Sequence, residues 1–178
     1  MLSTEYLAGL FDGEGCVHIA HQNPNKPLGR LSPTFGLRVI YCLTHEEVIR
    51  QISEQLGYGY CKLRKNNARW KDAFQVQICG ARAGAFLRSI YPYLIVKREE
   101  VELALKLQDH VTKYRYTWQR MPSEQKLALI AYRQAIKDQI QALRRSGASD
   151  GMTTNSGELP CPASDGAEGQ SRAKLRSV

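Results

Sequence analysis

Two carboxylates carry the first chemical suggestion in this sequence. Asp12 and Glu14 follow a short apolar run, with Gly13 between them and Gly15 behind. A helix ending there would carry partial negative charge at that end. Like-charged carboxylates gathered at such a point repel unless a cation sits between them. Hard oxygen ligands with open positions suit Mg²⁺, or Mn²⁺ as a substitute. Metal ions bridging carboxylates and a phosphodiester can activate water and stabilise the leaving oxygen. The plainer alternative is a helix that merely ends in acids and glycines, and these four residues alone favour it.

The second suggestion is charge. The chain has 178 residues and a formal net charge of +8. Residues 1–145 hold 22 Lys and Arg against 13 Asp and Glu, while residues 146–178 hold 3 against 4. The basic excess therefore belongs to the part that reads as folded, which points to a polyanionic partner. Segments 15–44 and 57–79 carry Lys26, Arg30, Arg38, Lys62, Arg64, Lys65, Arg69 and Lys71, with Asp72 as their one acid. Polar residues on one face of a sheet can lie along a nucleic-acid groove, where Arg reads guanine and Gln reads adenine. Arg38, Lys62, Arg64, Gln75 and Gln77 are the candidates, with His18 and Gln22. A solvated sheet face is the competing explanation.

These residues need elements to hold them. Residues 3–12 read as a helix with Ser3 or Thr4 as N-cap, and Gly13 and Gly15 bracketing its end. Residues 16–22 and 34–43 alternate as strands, separated by a loop with three prolines. Val17, Ile19, Phe35, Leu37 and Val39 should point inward. Residues 45–56 read as a helix stopped by Gly57. Strands over 58–65 and 69–79 follow, and further helices over 81–91, 97–110 and 123–145. Residues 146–178 have no aromatic residue and read as a disordered tail. The expected fold is α+β: a four-stranded antiparallel sheet with helices on one face, in the order αββαββα, over a domain spanning 1–145.

Some classes are disfavoured. No apolar run reaches the ~18 residues of a membrane span, and no signal peptide is evident. The five cysteines form no CxxC pair, so they read as buried or half-buried free thiols in a reducing compartment. His18 and His21 should fall on opposite faces of a strand, which argues against a zinc site.

Residues 7–15, Leu-Ala-Gly-Leu-Phe-Asp-Gly-Glu-Gly, closely resemble the LAGLIDADG nonapeptide of the homing endonucleases. The resemblance implies a metal-dependent enzyme cleaving both strands of a long, near-palindromic DNA target. A single copy of the motif implies a homodimer. Small Ala8 and Gly9 would let two copies of the helix pack closely, with Leu7, Leu10 and Phe11 sealing core and interface. It implies Glu14 as direct metal ligand, with Gly13 beside it, and Asp12 as the acid that positions the helix end. Residues 91–97 resemble the family's segment with an active-site lysine, which makes Lys97 the candidate for stabilising phosphate charge. By register Tyr41 takes the place near the end of the second strand where the family often has Gln or Asn, and so becomes a third catalytic candidate. His45 is a candidate phosphate or water contact, or a helix-start histidine without a role. Lys26, Lys65 and Arg69 would touch phosphates.

Two alternatives share the fold. One is an intron maturase that binds RNA, raised by Tyr41 and the basic loops. The other is a DNA-binding protein without catalysis, disfavoured by retention of both acids. Action inside the cell is expected, in an organelle or in bacterial or phage-infected cytoplasm.

Overall fold

A computed structural model describes residues 1–24, 33–63 and 71–148. The first helix, α1 (Thr4–Glu14), starts where Ser3 Oγ accepts the Tyr6 N–H at 3.2 Å. It runs through Gly13 and ends on Gly15, one turn's fraction later than the glycine pattern predicts. Gly15 is needed for space: a Cβ there would lie 2.1 Å from the Phe11 ring and 2.8 Å from the Phe11 Cα.

Four strands follow: β1 (Gly15–Gln22), β2 (Thr34–Leu43), β3 (Tyr60–Leu63) and β4 (Ala73–Cys79). They form one sheet in the order β1-β2-β4-β3, with every neighbouring pair antiparallel. Between the hairpins lies α2 (Glu46–Leu56), with His45 as N-cap and Gly57 in the left-handed region at φ 67°. Then come α3 (Gly80–Ile90), a 3-10 turn over Tyr91–Tyr93 at Pro92, α4 (Arg98–Lys113) and α5 (Ser123–Ala148). The expected α+β sheet-and-helix architecture is the one observed. The last helix extends three residues into the segment read as a tail; residues 149–178 lie outside the described residues.

The pleat divides the side chains. Val17, Val39 and Ile78 share one cross-strand row, and Ile19 and Leu37 another. All five are 5% exposed or less and pack against the helices. His18, Arg38 and Cys79 form a row on the opposite face, as do Cys16, Ile40 and Gln77. Among the described residues no helix is long and apolar enough to cross a membrane.

Tyr41 belongs to the inner set, which corrects its sequence assignment. It has the same parity as Phe35, Leu37 and Val39, it is 0% exposed, and its ring meets Phe11 and Phe86 edge-on. Its hydroxyl donates to the Leu7 carbonyl at 2.8 Å, and burial pushes its pKa far up. It ties α1 to the sheet and does not face solvent. The outward positions of that part of β2 are Ile40 and Cys42.

The helix α5 runs beside the open edge of β1 and touches it through Arg144. Arg144 donates to the Val17 carbonyl and ion-pairs with Glu100 of α4, which is only 8% exposed. One guanidinium thus joins α5, α4 and an edge strand whose backbone acceptors would otherwise be available to another chain.

Arg144→Met should lower stability by about 1–3 kcal/mol, because Glu100 is left buried without its partner. The check is a urea midpoint that falls with an unchanged slope. Tyr41→Phe should cost about 1 kcal/mol by the same measurement and leave duplex cleavage intact. Lost cleavage at undiminished stability would return Tyr41 to the reaction site.

Candidate active site and nucleic-acid face

The end of α1 and the start of α4 are locked together by one reciprocal arrangement. Asp12 Oδ2 accepts the backbone N–H of Ile95 at 2.7 Å and of Val96 at 3.2 Å, while Oδ1 accepts that of Lys97 at 2.9 Å. In the opposite direction, Lys97 Nζ donates to the carbonyls of Phe11 at 2.9 Å and Gly15 at 2.7 Å, and more weakly to Gly13 at 3.4 Å. The ammonium thereby satisfies acceptors that a helix C-terminus leaves over. Burial holds the Lys97 pKa below its usual value, opposed by the nearby charges of Glu100, Cys16, Asp12 and Glu14.

Asp12 is therefore a backbone acceptor that fixes where Lys97 begins, consistent with a positioning acid. In this arrangement the Lys97 ammonium is directed at α1's carbonyls. Glu14 is left as the exposed carboxylate at the helix end, with the Gly13 carbonyl one residue before it. Their fit to a divalent cation can be judged from the donors present. They are oxygens, they are hard, and the neighbouring carbonyls already gather one cationic group. Among the described residues no three His, Cys, Asp or Glu side chains cluster for a metal ion. One copy of this site supplies a carboxylate and a carbonyl, leaving further positions for water, phosphate or a second copy.

The interface expected from α1 divides in two. Leu7, Ala8 and Phe11 are 4%, 0% and 0% exposed and belong to the chain's own core, which corrects their assignment to a dimer surface. Gly9 is exposed and Leu10 half-buried, and they lie on the opposite side with exposed Tyr6 and Gly13. The spacing 6, 9, 10, 13 is one helical face. Added Cβ atoms at Gly9 or Gly13 would meet nothing within 4 Å. Beside this face stand Ile95 and Val96, 85% and 76% exposed although apolar.

The outer face of the sheet gathers several of the predicted nucleic-acid residues. Gln22, His18, Arg38 and Gln77 lie on it in successive rows. Gln77 Nε2 donates to Cys79 Sγ at 3.2 Å. Gln75 shares the face, in the row of Cys42 and Cys61, but is only 8% exposed, so its reach to a base edge is restricted. Lys62 is a correction. It is in register with Phe74 on the inner side, stands 5.7 Å over that ring and pairs with Asp72 at 2.5 Å. A one-residue difference in parity puts it at the sheet margin. Lys71 is exposed at the start of the segment leading into β4. Lys26, Arg30, Arg64, Lys65 and Arg69 lie outside the described residues. His45 is exposed and makes no side-chain cap bond.

His18 and His21 do fall on opposite faces, His21 stacking on Phe35 at 4.7 Å. Four free cysteines are described, and by register all four are on the outer face. Cys16 and Cys42 are half-buried as expected, but Cys61 and Cys79 are exposed.

The sequence reading missed α5 as part of this surface. A polar groove runs between the outer face and that helix, with Lys137, Gln141 and Arg144 opposite His18, Gln22 and Arg38. The signal was available, since positions 137, 141 and 144 follow helical spacing beside the apolar Ile136 and Ile140.

Comparison with known proteins follows the same lines. The model of the LAGLIDADG endonuclease family matches residues 7–79. No curated protein matches. Among solved structures, the homing endonuclease I-CvuI, crystallised with the I-CreI target in the presence of Mg, is similar at TM-score 0.59 and 17% identity, covering 79% of this chain and 80% of that one. An archaeal intron-encoded homing endonuclease complexed with DNA gives 0.58 and 13%, covering 79% and 82%. The homing endonuclease I-TnaI gives 0.51 and 11%, covering 82% and 97%. At such identities the structures establish likeness of fold. The nonapeptide and the sheet it leads into lie in the same stretch, residues 7–79, that matches the LAGLIDADG endonuclease model.

Proposed function

We propose that this protein is a site-specific DNA endonuclease that hydrolyses both strands of a long, near-palindromic target as a homodimer with a divalent cation. The observation that carries the reading is the end of α1. There an exposed carboxylate, Glu14, adjoins an open small-residue helix face on one side and a polar sheet face on the other. The family match and the DNA complexes of its structural neighbours support the same reading.

The dimer would join two copies of the face bearing Tyr6, Gly9, Leu10 and Gly13. Among the described residues nothing crowds Gly9 or Gly13, so close approach of a second helix is the use their size allows. Ile95 and Val96 are apolar groups that such an interface would remove from water. Two Glu14 carboxylates would then meet near the two-fold axis, where their repulsion favours a cation. Mg²⁺ or Mn²⁺ held by Glu14 and the Gly13 carbonyl would supply an activated water and charge stabilisation at phosphorus. Asp12 holds the two backbone segments in place. Lys97 neutralises the helix-end carbonyls and keeps a positive charge within the site.

Arg38, His18, Gln22 and Gln77 would read base edges or the groove floor, with Lys137 and the exposed Lys71 on phosphates. Tyr41 no longer supports an RNA-splicing role, because it is a core residue. The predicted setting is intracellular, in an organelle or a bacterial or phage-infected cytoplasm.

Glu14→Gln should abolish cleavage of a selected target in Mg²⁺ while leaving its binding in Ca²⁺ within a few-fold of the parent. Cleavage at parental rate by that variant would remove Glu14 from the reaction. Gly9→Leu should convert the dimer to a monomer in sedimentation, since the added side chain stands where the second helix must approach. A variant that sediments as the parent does would place the interface elsewhere.

A further inference from the structure

A second cationic site lies at the far end of the sheet. A cavity of about 410 Å³ opens beside the start of β2, lined by Thr34, Tyr114, Arg115, Tyr116, Trp118 and Arg133 among others. Arg133 is its unusual member. It comes from α5, is 6% exposed, and lies with its guanidinium 4.7 Å over the Trp118 ring. Its Nε donates to His110 Nδ1 at 3.2 Å. No carboxylate among the described residues pairs with it; the ion pairs of the described chain use other cations.

A buried guanidinium without a counter-ion is costly, because nothing compensates its lost hydration. Its two terminal nitrogens have no acceptor among the described residues. Yet no buried side-chain nitrogen there lacks a partner, so these nitrogens open onto the cavity. They present a fork of donors suited to a planar or tetrahedral oxyanion. Arg115 adds a second cation at the rim, 5.7 Å over the ring of Tyr116, which is itself 85% exposed. The neighbourhood is positive enough that burial, Arg133 and Lys113 together hold the His110 pKa below its usual value.

We propose that this cavity binds a phosphate group, and that the phosphate is supplied by the outer arm of a bound DNA duplex. Position along the sheet supports that source. Thr34 lies opposite Gln22, in the row farthest from Gly15, and the cavity opens at that end of the sheet, with Phe35 and Val111 lining it from the helix side. At about 3.3 Å per residue the length of β1 sets the cavity roughly 23 Å from the cleavage end, about seven base pairs along a duplex. Arg133 and Arg115 would hold the arm by its backbone, and the exposed aromatic rim would accommodate a sugar or frayed base. The proposal rests on the endonuclease reading for its source of phosphate, but not for the chemistry of the cavity.

The test has two arms. Orthophosphate is titrated into the full chain while the His110 imidazole resonances and Trp118 fluorescence are followed. Saturable shifts are expected, with the His110 pKa rising as the anion offsets the surrounding charge. Arg133→Met should abolish them, and Arg115→Ala, a rim change that leaves the buried cluster intact, should weaken them several-fold. In the second arm, affinity for a selected duplex is measured against salt in Ca²⁺. Removing one phosphate contact should reduce the slope of log K against log salt by about 0.9 and the affinity by roughly tenfold. Identical phosphate titrations in parent and both variants would overturn the site. Phosphate binding with an unchanged duplex slope would overturn the duplex as its source and leave a site for a free phosphate. A parent that binds phosphate but no duplex would sink the endonuclease reading while the cavity stood.

Discussion

The exchange between Asp12 and Lys97 is the constraint around which this structure is arranged. One carboxylate holds three successive backbone N–H groups that precede α4, and the lysine at the end of that run returns its ammonium to the carbonyls closing α1. The two segments are thereby tied to each other in both directions. The consequence for chemistry is positional. With Asp12 committed to backbone and Lys97 to carbonyls, Glu14 is the acid left exposed at the helix end.

That lock also explains why α1 can have two different faces. Leu7, Ala8 and Phe11 are consumed by the core, anchored by the Tyr41 hydroxyl on the Leu7 carbonyl. The opposite face is left with small or exposed residues that no described part of the chain covers. Gly15 is forced by its approach to Phe11. Gly9 and Gly13 are crowded by nothing among the described residues, which leaves room for the second helix of the proposed dimer.

The sheet works as a divider. One side is buried beneath the helices, and the other carries His18, Arg38, Gln22 and Gln77. The long α5 caps one carbonyl of the β1 edge through Arg144 and brings Lys137 and Gln141 alongside the polar face. It also carries Arg133 into the aromatic cluster at the far end. One helix therefore stabilises an exposed strand edge and contributes cations at two places on the proposed nucleic-acid surface.

The sequence alone determined the element order, the alternation of β1, β2 and β4, the helix stop at Gly57, and the family resemblance carried by residues 7–15. These are local properties: a pleat repeats every two residues, a left-handed cap favours glycine, and a nonapeptide is contiguous. Only the tertiary structure decided the rest. Lys62 went to the inner side because register, fixed between strands, sets which face a residue joins; the alternation of β2 already placed Tyr41 with Phe35, Leu37 and Val39, and what the structure added is its hydroxyl bond to Leu7. Leu7, Ala8 and Phe11 proved to be core because the side of a helix that is buried depends on what packs against it. The pairing of Asp12 with residues 95–97, and of Arg133 with Trp118 and His110, joins positions far apart in sequence. No periodicity encodes such contacts; they arise when buried polar groups find partners during packing.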